Sequence, residues 1–470
     1  MKKTKIVCTI GPSSCTTEVL RNLIEEGMDV ARFNLSHATH SFCHETIEKI
    51  KNLEHEYNKV IGILFDTAGP VLRLGMLENN HIFLKKDTEV KITSRNIVGT
   101  DKEFSIDYPN LLHDVKLGSN ILLNDGKVIL QVFAKEGDTL LCDVVDEGFI
   151  YSNRTVHIPG ISYSLDYLSS KDKEDIAFAI KEHVDFLALS YVRTHLDVLD
   201  VTDLLIELED EHIQLISKIE NNDAVNNLNE ILSVSDGVMV ARGDLGVEIP
   251  MEKLPGVQKQ ILTAAKLNNK VGIVATELLA TMENDNQPTR AEVSDVYNAV
   301  IDGADAVMLS GETTIGNFPA ETVAMMNKIV SSAEEDMDYY SLIEEAMSSE
   351  SQDITTTIAY SVVDSAVRLK SKAIAASTNT GYTAKKISRF RPICPIIATS
   401  PDKDTVRSLT LNFGIYPVLV HELDSTDAIV SSCKDEVRKI IDVERGDTII
   451  ITGGFPISYN NTNFLKIEIV

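Results

Sequence analysis

Eight short apolar runs, most of them separated by segments with helical spacing, constrain the fold of this 470-residue chain more than any other feature. Continuous apolar strands that alternate with helices are typical of a parallel sheet covered on both faces. Val293, Val296 and Val300 show the helical spacing in one intervening segment, and Thr289 with Glu292 fits a capping box at its start. Eight such units predict an α/β fold built on a (β/α)8 TIM barrel. The apolar runs read KTKIVCTIG, DVARFNLS, VIGILFDT, DFLALSYV, IQLISKIE, GVMVARGD, VGIVATE and DAVMLSGE.

Polar side chains follow six of the eight predicted strands at their C-terminal ends, which is where barrel enzymes place their active sites. Because side chains alternate along a strand, pairs two residues apart, such as Lys218 with Glu220 and Arg242 with Asp244, are expected to share a face. Exposure to solvent alone hardly explains polar residues at the ends of six strands, so we predict an active site at this end of the barrel. These residues are Arg32, Asn34, Ser36, Asp66, Thr67, Lys218, Glu220, Arg242, Asp244, Thr276, Ser310 and Glu312.

Glu220 and Asp244 are two carboxylates from neighbouring strands, and carboxylate oxygens suit Mg²⁺ or Mn²⁺. Lys218 adds a compact positive charge beside them, and Arg32 adds another from across the barrel. A metal ion with two cationic side chains provides the charge neutralisation that a transferring phosphoryl group needs. Gly243 would let a substrate approach the backbone closely.

Each of these residues also has a structural interpretation. Lys218 with Glu220 fits a plain ion pair, and Asp244 and Thr276 each fit a helix N-cap. The four oxygen-bearing side chains that follow the second and third strands fit either strand-end caps or a cage for a monovalent cation. The sequence has no His or Cys cluster with zinc-ligand spacing, no P-loop and no Gly-x-Gly-x-x-Gly motif. The four oxygen-bearing side chains that fit either strand-end caps or a cation cage are those of Asn34, Ser36, Asp66 and Thr67.

Two parts of the chain interrupt or follow the barrel pattern. Short alternating strands punctuated by Gly and Asp lie between the third and fourth barrel strands and predict an inserted β domain that is β-barrel-like and acts as a lid. Its NDGK segment fits a hairpin turn, and Asp125 in that turn would face the site when the lid closes. A third domain is predicted after a Ser/Thr-rich linker near residue 340, where further α/β units begin. The predicted domains are the barrel (1–72 and 158–338), the insert (73–157) and a C-terminal α/β regulatory domain (339–470).

The composition excludes several classes of protein. A net charge of −27 and a pI of about 4.8 disfavour nucleic acid or an anionic membrane as a partner. No apolar run reaches the ~18 residues of a membrane span. The six cysteines form no C-x-x-C pair and are expected to be reduced thiols. Gly11 and Pro12 end the first apolar run too early for a signal peptide, so we expect a cytoplasmic protein.

Several long motifs, in order along the whole chain, resemble those of pyruvate kinases. The resemblance is strongest in the predicted barrel and weakest in the inserted domain. It implies an enzyme that transfers the phosphoryl group of phosphoenolpyruvate to ADP and yields pyruvate and ATP. The motifs are KTKIVCTIGPSS, MDVARFNLSHATH, ISKIEN, DGVMVARGDLGVEIP, QPTRAEVSDVYNAVIDGADAVMLSGET and FPAETVAMM.

The resemblance assigns roles by matching position. Transfer from phosphoenolpyruvate leaves an enolate, which needs a proton on carbon, so phosphoryl-transfer groups and a proton source are both required. The matched residues are Lys218 for the transferring phosphoryl group, Glu220 and Asp244 for Mg²⁺ or Mn²⁺, Arg32 for the phosphate, Gly243 for the substrate carboxylate, and Thr276 for protonation through water, with Ser310 and Glu312 nearby.

The resemblance also implies a potassium site, a nucleotide site and a homotetramer, but this sequence departs from the family pattern after the third strand. Where the family usually has Lys and Glu after the third strand, this chain has Ala68 and Val71. The Glu position is associated with potassium dependence, and some members carry Lys there; Val71 supplies neither charge, so the potassium requirement stays open. The matched residues are Asn34, Ser36, Asp66 and Thr67 for potassium, and His37, Arg73 and Asp125 for ADP/ATP.

The segment STNTGYTAKK resembles the loop with which family members bind the phosphate of a sugar-phosphate effector. Its hydroxyls and backbone would form a nest for phosphate, although an ordinary turn with a capping Thr fits as well. The C-terminal TGGFPISYNNTNFLKI lacks the Trp-Arg pair of many fructose-1,6-bisphosphate-binding members, so the effector's identity stays open. The loop residues are Ser377, Thr378, Thr380, Gly381 and Thr383.

Two other functions were weighed against an active pyruvate kinase. Ala68 and Val71 would fit a catalytically weak, metabolite-sensing protein on the same scaffold, yet the retained Lys218, Glu220 and Asp244 argue against it. A carbon–carbon lyase would also use a metal and an enolate. It would not need ADP, and it leaves the insert and the effector-like loop unexplained.

Overall fold

The computed structural model describes residues 1–161, 163–348, 353–454 and 462–470. The first part of the barrel consists of β1 (Lys5–Thr9), α1 (Thr17–Glu26), β2 (Val30–Asn34), α2 (His40–Tyr57) and β3 (Gly62–Asp66). Thr16 caps α1, since its side chain accepts the N–H of Val19, and α1 ends at Gly27, whose φ of 122° suits only glycine well. The chain then leaves the barrel.

A separate, sheet-rich unit follows β3. It contains β4 (His81–Leu84), β5 (Glu89–Thr93), β6 (Glu103–Ser105), α3 (Leu111–Asp114), β7 (Asn120–Leu123), β8 (Val128–Glu136), β9 (Thr139–Asp146), β10 (Gly148–Tyr151) and β11 (Val156–His157). A six-stranded sheet has the order β11-β7-β8-β9-β5-β6, and β10 pairs with β4 in a two-stranded sheet. Alternate residues of β8, beginning with Val128, Leu130 and Val132, are buried in a core of its own. This unit confirms the predicted β insert.

The chain returns to the barrel at β12 and completes it at β16. The elements are α4 (Ser170–Glu182), β12 (Phe186–Leu189), α5 (His195–Glu207), β13 (Gln214–Ile219), α6 (Asn222–Asn226), α7 (Leu228–Val234), β14 (Gly237–Ala241), α8 (Arg242–Glu248), α9 (Leu254–Leu267), β15 (Val271–Ala275), α10 (Arg290–Ile301), β16 (Ala306–Leu309), α11 (Gly311–Thr314) and α12 (Pro319–Glu335). The predicted capping box of Thr289 and Glu292 is confirmed at α10.

The eight barrel strands are parallel and close in the order β1-β16-β15-β14-β13-β12-β3-β2, which confirms the predicted TIM barrel. Every residue of β3, β14 and β15 is buried, as expected for strands covered on both faces. The barrel interior is a packed core that positions the polar strand ends at its mouth. Residues of this core include Val7, Val30, Leu64, Phe186, Ile216, Met239, Ile273 and Met308.

A third unit has its own five-stranded sheet. It contains α13 (Tyr339–Ser348), α14 (Ile354–Leu369), β17 (Ala373–Ser377), α15 (Tyr382–Arg389), β18 (Ile396–Ser400), α16 (Lys403–Ser408), β19 (Ile415–Leu419), α17 (Thr426–Ile440), β20 (Thr448–Gly453) and β21 (Phe464–Ile469). The order is β19-β18-β17-β20-β21, with only β21 antiparallel. This confirms the C-terminal α/β unit, whereas the exact domain boundaries stay predictions. Residues 349–352 of the predicted linker lie outside the described residues.

The C-terminal unit closes the base of the barrel. Leu411 is fully buried in the core cluster that fills the barrel. Arg407 of α16 donates to Asp185 at 2.8 Å, to Glu54 at 3.1 Å and to the carbonyl oxygen of Ile61 at 2.9 Å. Burial raises the pKa of Asp185, and Arg407 opposes that rise. The guanidinium therefore compensates a buried carboxylate across the boundary between the two units. In the described part of the chain, no helix is long and apolar enough to cross a membrane.

Arg407→Ala is expected to lower the free energy of unfolding by about 3 kcal/mol, because it leaves the carboxylate of Asp185 buried without its counter-ion. Urea unfolding followed by circular dichroism measures this change. Arg438→Ala is the matched control, since Arg438 lies on α17 at 3.9 Å from Asp435 and is half-exposed. A loss of less than about 1 kcal/mol at Arg407, the range of surface pairs, would contradict this account of the boundary.

Candidate active site

Asp66, the last residue of β3, organises the mouth of the barrel. Its Oδ2 accepts hydrogen bonds from Nε and Nη2 of Arg32 at 2.8 and 2.6 Å. Its Oδ1 accepts from Nζ of Lys218 at 3.1 Å and from the hydroxyl of Ser190 at 3.0 Å. Burial raises the pKa of Asp66, but the charges of Arg32 and Lys218 outweigh burial and hold the pKa below its usual value. An ionised Asp66 thus orients both cations.

Lys218 lies near the end of β13 and is almost fully buried. Its Nζ donates to the hydroxyl of Ser190 at 2.8 Å and lies 2.9 Å from Oε1 of Glu220. Burial lowers the pKa of Lys218, but the carboxylates of Asp66 and Glu220 raise it more, so the net shift is upward. The ammonium group therefore stays charged although it is buried, and in such surroundings its field acts strongly on a nearby anion.

Glu220 and Asp244 are joined by one residue that the sequence analysis did not find. The backbone N–H of Tyr191 donates to Oε2 of Glu220 at 2.6 Å, and its hydroxyl donates to Oδ1 of Asp244 at 2.7 Å. Glu220 is fully buried, and burial raises its pKa, helped by the charge of Asp244 and opposed by Lys218. Both carboxylates of the predicted pair therefore contact Tyr191, and the charges of both raise the pKa of Lys218.

The donor set at this pair fits a hard divalent cation. Oε1 of the buried Glu220 accepts no hydrogen bond from the described residues, although Nζ of Lys218 is close. In the described part of the chain, no group of three or more His, Cys, Asp and Glu side chains could hold a metal by itself. Two carboxylates leave coordination positions for substrate oxygens and water, which is the usual arrangement for Mg²⁺. Glu220 and Asp244 are therefore the residues that could hold the ion.

Thr276 directly follows β15 in a strained conformation, with φ of 68°. Its Oγ1 accepts the N–H of Gly243 at 2.9 Å and donates to the carbonyl oxygen of Ala275 at 2.7 Å. Arg242 donates from Nη2 to the carbonyl oxygen of Thr276 at 2.7 Å. Three contacts therefore fix this threonine at the mouth, close to the backbone of the loop that carries Asp244.

The expectation that Arg242 and Asp244 share a strand face is wrong. Strand β14 ends at Ala241, and both residues lie in α8, where strand alternation does not apply. The guanidinium of Arg242 donates to Asp295 on α10 at 2.7 Å, whereas Asp244 contacts Tyr191. Arg242 therefore supports the loop of Thr276, whereas Asp244 contacts the hydroxyl of Tyr191.

Ser310 and Glu312 likewise follow β16 outside the strand. Both carboxylate oxygens of Glu312 are engaged by backbone groups, the N–H of Ser310 at 2.7 Å and that of Leu279 at 3.2 Å. Burial raises the pKa of Glu312, and these N–H groups oppose the rise. The hydroxyl of Ser310 is buried and has no partner among the described residues. Glu312 thus ties two loops together, while the Ser310 hydroxyl remains available for substrate or water.

Two models of known families match almost the whole chain. The model described as pyruvate kinase, barrel domain, matches residues 1–323, and that described as pyruvate kinase, alpha/beta domain, matches residues 356–468. The chain belongs to the pyruvate kinase family. Members are phosphotransferases, and the substrates that this activity implies are phosphoenolpyruvate and ADP, with pyruvate and ATP as products.

Pyruvate kinases from several organisms are similar over the full length of the chain. Those of Sporosarcina psychrophila and Staphylococcus aureus are 42% identical over 473 and 475 residues, which is 100% of this chain and 81% of theirs. A crystal structure of a pyruvate kinase from Cryptosporidium parvum superposes with a TM-score of 0.94 at 36% identity, over 100% of this chain and 96% of that one. The fold and the family therefore agree.

The four residues predicted to bind a monovalent cation lie at the ends of β2 and β3, where Asn34 and Asp66 are register partners. Oδ1 of Asn34 accepts the N–H of Ser36 at 3.0 Å. The hydroxyl of Thr67 lies 3.4 Å from the carbonyl oxygen of Ala188 and accepts the N–H of Ser190 at 3.3 Å. The structure brings these oxygens to one edge of this pyruvate kinase barrel, and their role as cation ligands stays a prediction.

The residues predicted to bind nucleotide are spread around the mouth. His37 is exposed after β2, and Arg73 donates to the carbonyl oxygen of Asn153 at 3.0 Å. Asp125 is exposed in the turn between β7 and β8 with φ of 56°. No hydrogen bond or ion pair joins these three side chains in the described structure. A Cβ placed on the next residue, Gly126, would lie 3.5 Å from Val247 of α8, so this turn of the lid faces the barrel.

His157 is a second residue that the sequence analysis missed. It lies in β11, where the chain returns from the lid, and is buried. Its Nδ1 is 3.5 Å from Oε1 of Glu248, and its Nε2 is 3.9 Å from Oδ1 of Asp244. Burial lowers the pKa of His157, but Glu248 and Asp244 raise it more. Val71 lines the same cleft as His157 and Tyr191.

The predicted effector loop lines a cavity of about 730 Å³ between the C-terminal unit and the barrel. Gly381 has φ of 77° and precedes α15, whose N-terminus therefore opens toward the loop. The described lining residues include four carboxylates and no Lys or Arg. From the predicted loop the cavity is lined by Ser377, Thr378, Thr380 and Thr383, and its carboxylates are Glu211, Asp402, Asp404 and Glu422.

Proposed function

We propose that this pyruvate kinase depends on a divalent ion, Mg²⁺ or Mn²⁺, held by Glu220 and Asp244 at the mouth of the barrel. The observation that carries the proposal is that Tyr191 donates to both carboxylates, from its N–H to Glu220 and from its hydroxyl to Asp244, while the ammonium group of Lys218 lies beside Glu220. The buried Oε1 of Glu220 lies 2.9 Å from Nζ of Lys218, so this oxygen already faces a cation in the described structure. When bound, the ion supplies charge neutralisation for the phosphate oxygens.

Lys218 and Arg32 act on the phosphoryl group in this proposal. Transfer breaks the bond between the enol oxygen of phosphoenolpyruvate and phosphorus and forms a bond to an oxygen of the β-phosphate of ADP. Negative charge spreads over the transferring oxygens, and two preorganised cations stabilise it without reorganisation. Asp66 contacts both cations and holds them in place. Asp66 is therefore a positioning residue whose charge also keeps Lys218 protonated.

The enolate that remains after transfer receives a proton on its terminal carbon. A threonine hydroxyl is a poor acid, so we assign the proton to a water molecule held near Thr276. The unpartnered hydroxyl of Ser310 would hold such a water, and Glu312 fixes the loop that carries it. A Cβ built on Gly243 would have only Thr276 within 4 Å, so the lack of a side chain there leaves room for the substrate carboxylate against this backbone.

Potassium is the second ion that we propose, with Asn34, Ser36, Asp66 and Thr67 as its ligands. These residues supply oxygens at one edge of the barrel, which suits an alkali cation. ADP would contact His37 and Arg73 on the barrel side and Asp125 on the lid. The turn that carries Asp125 and Gly126 lies close to Val247 of α8, which supports closure of this turn over the nucleotide. Val71 carries neither the Glu nor the Lys charge that is associated with potassium dependence in the family, so the size of the potassium effect has to be measured.

The test is pyruvate release from phosphoenolpyruvate and ADP, measured with Mg²⁺, with Mn²⁺ and after removal of divalent ions by EDTA. Each metal condition is repeated in KCl and in tetramethylammonium chloride at equal ionic strength. The proposal predicts turnover with either metal, none with EDTA, and faster turnover in KCl. Turnover that survives EDTA would contradict the divalent site, and equal rates in both salts would contradict the potassium site.

We also propose that a sugar phosphate binds in the cavity of about 730 Å³ and regulates the enzyme. The hydroxyls near the N-terminus of α15 favour one phosphate, but the four carboxylates elsewhere in the wall repel a second. Assembly as a homotetramer and a cytoplasmic location stay predictions from the sequence.

A sugar monophosphate such as glucose 6-phosphate is expected to bind about tenfold more tightly than fructose 1,6-bisphosphate, because the second phosphate would meet the acidic wall. Isothermal titration calorimetry measures both affinities. Thr378→Val should weaken both ligands, whereas Thr357→Val, which removes an exposed hydroxyl on α14, should weaken neither. Tighter binding of the bisphosphate would contradict the charge argument.

A further inference from the structure

We infer that Tyr191 is the residue that positions the divalent-ion site, because it sets which oxygen of each carboxylate is free to bind the ion. This inference rests on the proposed metal site. Tyr191 lies two residues after the end of β12 and reaches ligands that follow two other strands. Its N–H donates to Oε2 of Glu220 at 2.6 Å, and its hydroxyl donates to Oδ1 of Asp244 at 2.7 Å.

In each carboxylate, one oxygen accepts a hydrogen bond from Tyr191 and the other does not. Oε1 of Glu220 accepts no hydrogen bond from the described residues, and its close neighbour is the ammonium group of Lys218 at 2.9 Å. Oδ2 of Asp244 likewise has no hydrogen bond among the described contacts, in which the hydroxyl of Tyr191 is the donor to the Asp244 carboxylate. The arrangement leaves one oxygen from each residue for the ion, with the other positions open to phosphate oxygens and water.

The backbone of Tyr191 is held in an unfavourable conformation that serves this double contact. Its φ is 54°, in the left-handed region that a bulky aromatic residue rarely adopts. This conformation turns the N–H toward Glu220 while the side chain reaches Asp244. The ring centroid lies 6.4 Å from that of His157 on the returning lid strand, so the tyrosine also contacts the lid. A residue whose only role was packing would not need this backbone conformation.

The nearest competing group is His157. Its Nε2 is 3.9 Å from Oδ1 of Asp244, beyond hydrogen-bond distance, and its Nδ1 is 3.5 Å from Glu248. At these distances His157 does not fix the Asp244 carboxylate in one orientation. Partners that orient metal ligands typically change metal affinity by 10- to 100-fold when they are removed.

The test is Tyr191→Phe, which keeps the ring and the N–H but removes the hydroxyl. Mn²⁺ is titrated into the metal-free full-length enzyme, and free Mn²⁺ is followed by electron paramagnetic resonance. We expect Kd for Mn²⁺ to rise about tenfold, the lower end of the usual range. The Mn²⁺ concentration for half-maximal turnover should rise by a similar factor, while most of the lost turnover returns at saturating Mn²⁺.

Two further variants make the outcome decisive. Tyr297→Phe removes another tyrosine–aspartate hydrogen bond, that of Tyr297 to Asp336 at 3.0 Å on the outside of the barrel, and should leave Kd for Mn²⁺ unchanged. Asp244→Asn tests the metal site itself. If Asp244→Asn weakens Mn²⁺ binding but Tyr191→Phe stays within about twofold of the parent, the positioning role is overturned. If Asp244→Asn binds Mn²⁺ normally, the proposed metal site fails, and the inference fails with it.

Discussion

Lys218→Met is expected to lower kcat about a thousandfold, which corresponds to about 4 kcal/mol of lost transition-state stabilisation. Methionine keeps the length and much of the volume of the side chain but removes the charge. The ammonium group lies 2.9 Å from Glu220 and 3.1 Å from Asp66, in a buried site where water cannot replace it. Single preorganised donors at such sites contribute on this scale. Pyruvate release under saturating phosphoenolpyruvate, ADP and Mg²⁺ measures the effect.

The variant should retain its fold and bind Mn²⁺, because Glu220 and Asp244 are unchanged. Lys218 opposes the rise that burial causes in the pKa of Glu220, so Mn²⁺ binding of the variant and of the parent enzyme is compared at several pH values. Lys434→Met is the control, since Lys434 pairs with Glu468 at 2.8 Å in the C-terminal unit. If Lys218→Met retains a kcat within about tenfold of the parent enzyme, the proposed role of Lys218 in phosphoryl transfer is contradicted.

Glu220→Gln should weaken Mn²⁺ binding at least about 100-fold and reduce turnover at physiological Mg²⁺ in proportion. Glutamine has nearly the same shape, so the change isolates the charge. One carboxylate would remain at the site, and Lys218 would lose one of its two buried counter-ions. Electron paramagnetic resonance of free Mn²⁺ measures the binding, and a metal titration of turnover provides an independent value.

A matched variant separates loss of metal from loss of structure. Glu334 is also a buried glutamate, and its carboxylate accepts the N–H groups of Lys3 and Thr4 at the base of the barrel. Glu334→Gln should destabilise the fold while leaving Kd for Mn²⁺ unchanged. Equal Mn²⁺ affinity in Glu220→Gln and the parent enzyme would show that the ion binds elsewhere.

The barrel could be predicted because its strands carry their own signal. β14 and β15 are buried on both faces, so their sequences are continuous apolar runs, and the residue after each run marks the mouth of the barrel. That rule placed Lys218, Glu220 and Asp66 correctly within one connected cluster. Spacing along a strand was sufficient there because both Lys218 and Glu220 follow the path of β13.

The same rule failed where a helix begins at once after a strand. Arg242 and Asp244 lie in α8, where side chains two positions apart point in different directions, so one pairs with Asp295 and the other with Tyr191. Tyr191 contacts both carboxylates from a backbone conformation with positive φ, and no pattern of residue types in the sequence predicts that conformation. The available signal was a tyrosine two residues after the end of an apolar strand.

His157 and Ser190 were missed for a different reason. His157 reaches the site from β11, which returns from the insert, and sequence distance from the barrel motifs hides that approach. Ser190 orients Lys218 and Asp66 through its hydroxyl, yet a single serine after a strand resembles many structural serines. Both become visible only when the closed barrel brings the strand ends together.

The most direct test of the metal-dependent mechanism is a crystal structure of the enzyme with Mn²⁺, measured near the manganese absorption edge. The account predicts one anomalous peak at the barrel mouth, in contact with the carboxylates of Glu220 and Asp244, with the hydroxyl of Tyr191 still donating to Asp244. A peak that contacts neither carboxylate, or no peak in an enzyme whose turnover requires Mn²⁺, would contradict it.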